Sequence, residues 1–256
     1  MSNASCLIKM IKRMILLGMI LCIVIAAGII VLEYIVAGNT VITYKIEIWI
    51  EACQTVDFFL PLLVSVLFVP LVYIQKKDGF IKYATIRNRK FVIYEYVAII
   101  LSVFIIVFIA YYIPLIVSLK IITVQIVEGQ SNLSEYVFGN WQIHHPYIFG
   151  IIWCVWKGII AAIFTMAGCI IMLLIDNMFV ATMFSFMYCM SENFITATLQ
   201  IPKYSIMTSY VLNRLSPTCM HIWNYCVGML VFILVCGIVI IACRIFNIKQ
   251  VEGCEE

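Results

Sequence analysis

The sequence predicts an all-α, polytopic membrane protein, and three observations carry that prediction. The 256 residues are 65% hydrophobic and 11% charged, with a mean hydropathy of +1.11. An ordinary soluble domain is roughly 45–50% apolar and about 25% charged. Charge-free apolar runs recur along the chain at the length a bilayer demands, and the basic residues gather beside alternate ends of those runs. One core cannot hide this much apolar surface, and so little charge excludes a disordered chain, which leaves lipid as the solvent.

A hydrocarbon layer of about 30 Å takes roughly 20 residues of helix at about 1.5 Å each. The charge-free runs are Met14–Leu32, Phe58–Gln75, Tyr96–Leu119, Gly158–Ile175, Asn177–Ser191 and Leu215–Cys243. The fifth is 15 residues long and crosses only if it extends past Glu192. Six spans are expected, at about 14–36, 58–75, 96–119, 153–175, 177–198 and 222–243, forming one membrane domain over 1–256. The first run is longer than the roughly 7–15 apolar residues of a signal peptide, and Glu33 and Tyr34 stand where a small-residue cleavage site belongs, so an uncleaved helix is expected. Before it, Leu7, Ile8, Met10 and Ile11 alternate with Lys9, Lys12 and Arg13. That pattern suits an amphipathic helix on the inner leaflet or a plain basic topology flank.

Eleven of the 16 basic residues lie before the first run, in 76–90, or after the last run. Lys45, Lys120, Lys157, Lys203 and Arg214 fall outside or at the outer boundary. The positive-inside bias then places both termini and 76–90 in the cytoplasm of a cell-membrane protein, which requires an even number of spans. The five tryptophans, Trp49, Trp141, Trp153, Trp156 and Trp223, land at or near the outer interface, where amphipathic rings are favoured. Residues 37–57 and 120–151 read as outer loops, and Asp176-Asn177 as a short inner turn. Glu33 and Asp57 read as hydrated groups near the outer edge. Pro114 is placed to kink the third span. Gly150, Gly158, Ala161, Ala162, Ala167 and Gly168 give the fourth a small-residue side for helix packing, within the chain or across a dimer.

The chemistry-bearing motifs point away from an enzyme. GxxxxGK[ST], HExxH and GxSxG are all missing. The eleven cysteines include no CxxC pair, and Cys22, Cys169, Cys189, Cys226 and Cys236 lie inside apolar runs as small hydrophobes. His144 and His145 are adjacent and make a poor chelate, so no metal site is expected. A net charge of +3 is too small to argue for nucleic acid. Asn132-Leu133-Ser134 fits a glycosylation triplet of a kind that arises often by chance.

The most informative segment is Gln75–Lys90, QKKDGFIKYATIRNRK, far longer than a tight helix–helix connection requires. Asp78 reads as the N-cap of a helix from Gly79 toward Lys90. On such a helix Phe80, Tyr83 and Arg87 share one face, and Lys82, Ile86 and Arg89 another. Aromatics beside arginines suit docking into another protein. A basic retention loop with its aromatics in the headgroups fits the same composition.

In layout the chain resembles the ABC-2 type permeases, the membrane subunits of bacterial ABC exporters. A basic start, a first span, an outer loop and a second span with Pro61 and Pro70 lead to DGFIKYATIRNRKFVIYEY, where Asp78, Gly79, Phe80, Arg87 and Arg89 match a loose family pattern. The resemblance implies a type V exporter-like architecture of six transmembrane helices. It also implies that Asp78, Gly79, Phe80, Tyr83, Arg87 and Arg89 form a coupling helix seated in a separate ATPase subunit. ATP and Mg would then be held by that partner, with no cofactor in this chain, and a second permease subunit, identical or related, would complete the assembly. The small six-span permeases of peptide export and bacteriocin self-protection are nearest in size.

Ser191, Glu192 and Asn193 interrupt an apolar stretch. An acidic residue at the bilayer centre costs about 2.5–3.5 kcal/mol on insertion scales, so Glu192 is expected to face protein or water. In the family the chain dips back between the last two spans without crossing. Residues 192–221, with Pro202, Lys203, Pro217 and an amphipathic Ile206–Leu215 piece, read either as such a re-entrant segment or as an ordinary outer loop. Glu192, Asn193 and Pro202 are the outer-gate candidates. With no charge expected mid-span in the other five helices, the expected cargo is hydrophobic or amphipathic, a peptide or a lipid-like molecule. The competing reading is a non-transporting sensor or interaction protein whose basic loop binds a signalling partner. A small channel would need a polar pore stripe, and none is apparent.

Overall fold

The computed structural model describes residues 3–40, 42–79, 89–123, 133–175 and 177–252. The chain builds eight α-helices among these residues, and no strand. They are α1 (Asn3–Asn39), α2 (Lys45–Lys77), α3 (Arg89–Ile116), α4 (Gly139–His144), α5 (Pro146–Leu174), α6 (Met178–Thr198), α7 (Ile206–Tyr210) and α8 (Asn224–Glu252). Five helical stretches are long and apolar enough to cross a bilayer: Leu16–Asn39, Lys45–Lys77, Tyr96–Ile121, Pro146–Leu174 and Asn224–Ala242. The protein is a multi-pass helical membrane protein. The stretch that was expected to be a fifth span is α6, which is not among the five.

Several helices begin earlier than apolar runs alone place them. Residues 45–57, expected as an outer loop, form the first turns of α2. Its start is fixed by Glu47, whose carboxylate accepts from the backbone N–H groups of Thr43 and Tyr44, both at 3.0 Å. That satisfies donors a helix N-terminus leaves free. Pro146 opens α5 at the first helical position, where its missing N–H is harmless. The basic start and the first span are one continuous helix, α1.

Asp78 does not start a helix from Gly79. Its backbone N–H donates to Ile74 O, Gly79 N–H donates to Lys76 O, and Gly79 has φ 70°. This left-handed residue after the last helical turn is the usual helix stop, and it is incompatible with being the first residue of a right-handed helix. Asp78 therefore caps the C-terminus of α2.

Contacts set the helix directions. Trp49 of α2 meets Tyr111 of α3, and Ser118 Oγ donates to Lys45 O, so α2 and α3 are antiparallel. Gly18 faces Ile106, and Val36 and Ala37 pack beside Val117 and Ile122, so α1 runs with α3. Lys76 Nζ donates to the carbonyls of Met172 and Leu173, so α2 runs with α5. Trp153–Tyr225 and Phe164–Phe232 ring contacts align α8 with α5. The ends of α2 and α5 and the starts of α1, α3 and α6 thus share one end of the bundle, here called the basal end. The opposite end carries α4, α7 and the starts of α2, α5 and α8.

The small-residue side of α5 packs within the chain. A Cβ on Gly150 would lie 2.4 Å from Leu115, one on Gly158 3.1 Å from Phe104 O, and one on Gly168 2.6 Å from Val69. A five-residue π-helical turn, Val117–Ile121, follows Pro114. It is the kind of local irregularity expected where proline removes a ladder bond.

Candidate functional site

Two polar clusters occupy the bundle, and the more deeply buried one joins three helices. Asp57 of α2 and Lys157 of α5 form an ion pair in which Nζ lies 2.7 Å from both carboxylate oxygens. Each side chain is 1% exposed. Tyr111 of α3 donates its hydroxyl to Asp57 Oδ1 at 2.7 Å. The ammonium lies 4.1 Å from the Tyr111 ring centroid and 5.6 Å from that of Trp49. Trp49 Nε1 donates in turn to Tyr111 O at 3.2 Å. Carboxylate, ammonium, phenol and two ring faces therefore satisfy one another in a space closed to solvent, the condition under which a buried pair is tolerated.

This arrangement corrects the expectation that Asp57 is merely hydrated. Asp57 is 20 residues, or about 30 Å of helix, from Lys77, so it stands near the far edge of the layer that α2 can span. Protein rather than water covers it. Glu33, expected to be hydrated, is also fully buried. Trp49 and Trp153 are core residues rather than interfacial rings, whereas Trp141 and Trp223 are exposed.

The second cluster ties residues 199–223 into the bundle. The helix α6 ends in a Schellman arrangement, with Gln200 at φ 58° donating to Ala197 O and Ile201 N–H donating to Thr196 O. The chain then turns inward. Glu192 Oε2 accepts from Ser205 Oγ at 2.8 Å and from Ile206 N–H at 3.0 Å. Arg214 Nη2 donates to Asn193 Oδ1. Gln54 Nε2 of α2 donates to Leu212 O at 3.1 Å, and Trp156 Nε1 of α5 to Ser209 O at 2.8 Å. Residues 205–212 are buried throughout and 213–215 half-buried, so most of the expected amphipathic piece is enclosed by protein. Tyr210 reaches Phe164, at 5.7 Å between centroids. Phe164 is ten residues, about 15 Å of helix, from the basal end of α5.

Gly228 permits this entry. A Cβ there would lie 2.5 Å from Ile206 Cα and 2.6 Å from Ile206 N. Only a residue without a side chain lets α8 approach that backbone.

The chain matches no family model, no curated protein and no solved structure.

Of the outer-gate candidates, Glu192 and Asn193 act together on the 205–214 segment, and Pro202 contributes its carbonyl, which accepts from Thr208 Oγ1 at 2.9 Å. Of the coupling residues, Asp78 and Gly79 close α2 and Arg89 opens α3. Phe80, Tyr83 and Arg87 lie outside the described residues. The sequence reading missed Asp57, Lys157, Tyr111, Ser205, Arg214 and Gly228. A signal existed for the pair: Asp57 and Lys157 each stand one residue before an apolar run, with opposite charge. Among the described residues no group of three His, Cys, Asp or Glu side chains is placed to hold a metal.

Proposed function

We propose that this protein is the membrane permease subunit of an ATP-driven exporter of the ABC-2 type. In this reading it has six spans, α6 being the one of lower hydropathy, and both termini are cytoplasmic. It works in the cell membrane with a separate ATPase subunit and a second permease subunit. The cargo is hydrophobic or amphipathic, a peptide by the family resemblance.

The observation that carries the reading is the convergence of α2 and α3 at the basal end. The antiparallel pair stops at Lys77 and restarts at Arg89. The intervening stretch carries the D-G-F…R-x-R pattern with Lys76 and Lys77 before it. The starts of α1 and α6 and the end of α5 gather at that same end, so a push on the 78–89 segment reaches several helices at once. ATP-driven closure of the partner would then act as a rigid-body switch between two states. At the other end, the segment held by Glu192 and Asn193 is the outer gate, dipping into the bundle without crossing it.

The test is co-purification. Tagged full-length protein is expected to bring down an ATPase with a phosphate-binding loop, and Phe80→Asp with Arg87→Glu to abolish that association. Recovery of the folded protein with no such ATPase, together with unchanged activity in the double variant, overturns the exporter reading in favour of a sensor or interaction protein.

A further inference from the structure

Glu33 is the buried charge-bearing group that neither cluster uses. It sits on the bundle-facing side of α1, is fully buried, and neither carboxyl oxygen has a hydrogen-bond partner. Few native side chains combine both conditions, because a buried polar group ordinarily finds a donor or acceptor. An ionisable residue in that state within a membrane helix marks function rather than packing.

The surroundings narrow what Glu33 holds. Ile29, one turn before Glu33 on α1, shares a buried apolar cluster with Cys53 of α2. The same buried region holds Asp57 on α2, Cys154 and Lys157 on α5, and Tyr111 on α3. Lys157 is the buried cation among the described residues, and it is committed to Asp57 and to two aromatic faces. Glu51 and Lys120 are exposed. A calcium-sized cation takes six to eight oxygen ligands, and no metal-binding group of side chains stands there among the described residues. The occupant that needs neither a counter-ion nor a cavity is a proton.

We propose that Glu33 is a proton-binding site of the bundle interior, loaded while α1 is packed against α2 and α3 and unloaded when that packing opens. The inference stands apart from the exporter reading, since it uses only the α1–α2–α3 contact. Movement of α1 away from Cys53 and toward water lets the carboxyl release its proton, so the conformational change and proton exchange are linked.

Infrared difference spectroscopy on the purified full-length protein in lipid nanodiscs at neutral pH tests this. Wild type minus Glu33→Gln is expected to show the carbonyl stretch of a protonated carboxyl, with a shift on exchange into heavy water. A difference spectrum carrying only carboxylate bands overturns the proposal. If Glu33→Gln does not fold, the wild type is treated with a membrane-permeant carbodiimide, which adds a neutral carboxylic acid across its C=N bond: the oxygen joins the central carbon and the acid proton goes to nitrogen. An adduct mapped by mass spectrometry to the peptide bearing Glu33 supports the proposal. An unmodified Glu33 in a protein labelled elsewhere counts against it.

Discussion

Breaking the Asp57–Lys157 pair from one side should cost far more than removing it whole. Asp57→Asn keeps the shape of the side chain but leaves the Lys157 ammonium, 1% exposed, without its counter-charge. Lys157→Met leaves the carboxylate with the Tyr111 hydroxyl as its remaining partner. Each single variant is expected to lose about 3–5 kcal/mol, the range for an uncompensated buried charge. Asp57→Asn with Lys157→Met removes both charges while the Asn carbonyl still accepts from Tyr111. That double variant is expected within about 1 kcal/mol of wild type, since replacing a buried pair with neutral groups is often close to neutral. Exchanging the two charges should restore only part of the stability, because a lysine at 57 loses the geometry that sets Nζ 4.1 Å from the Tyr111 ring. Unfolding by titration with a denaturing detergent in mixed micelles, followed by helical circular dichroism, gives all four free energies. Single variants costing under about 1 kcal/mol, the value of an exposed pair, would refute the argument. So would a double variant whose cost equals the sum of the singles.

Gly228→Ala forces a Cβ into the backbone of Ile206. It should destabilise the fold by about 1–3 kcal/mol, the range for overpacking, and expose 199–223 to protease, read by mass spectrometry of the first cuts. Gly79→Ala places a side chain at φ 70° and should lose about 1 kcal/mol, seen as a lower detergent midpoint with unchanged helicity. Cys219 is exposed beside the start of α8, whereas Cys53, Cys154, Cys169 and Cys189 are buried. In intact cells a membrane-impermeant maleimide should label Cys219 and spare those four; protection of Cys219 until the membrane is broken would reverse the proposed orientation.

The legible part of this molecule was what depends on chain-local physics. Apolar length gave the membrane class, and Asn177, whose side chain accepts from Val180 N–H at 3.2 Å, starts α6 one residue from where the charge-free run implied. Local signals were also misread. Lys76-Lys77-Asp78-Gly79 is a helix stop, with basic residues in the last turn and glycine after it, yet Asp78 looked equally like the cap of a following helix. The polar start of α2 passed for a loop because Glu47, Glu51, Gln54 and Asp57 break the apolar run. Three of those residues instead serve the fold, as cap, anchor and ion pair. The opposite charges bordering two apolar runs hinted at the pair, but its members are 100 residues apart and their contact follows only once α2 and α5 are known to run alongside each other. The lipid-facing sides are apolar, but the interior is not uniformly so.

The bonds around residues 205–214 differ in strength, and the difference predicts where this segment parts from the bundle. Toward α6, Glu192 accepts two charge-assisted bonds and Arg214 donates one to Asn193; such bonds contribute about 1.5–3 kcal/mol each. Toward α2 and α5 the links from Gln54 and Trp156 are neutral bonds to backbone carbonyls, worth about 0.5–1.5 kcal/mol each. Close packing of Gly228 against Ile206 further ties the segment to α8. The weaker seam is therefore the one along α2 and α5, and opening there leaves the segment on α6 and α8. Cysteines on either side report which seam gives way: Cys53 and Cys154 lie on α2 and α5, and Cys189 on α6, all buried. Gln54→Leu with Trp156→Phe should raise the maleimide labelling rate of Cys53 and Cys154 several-fold and leave Cys189 protected. Glu192→Gln should raise labelling at Cys189 instead. Exposure of Cys189 in the Gln54→Leu, Trp156→Phe protein, with Cys53 and Cys154 still closed, would place the moving seam along α6 and defeat the argument from bond strength.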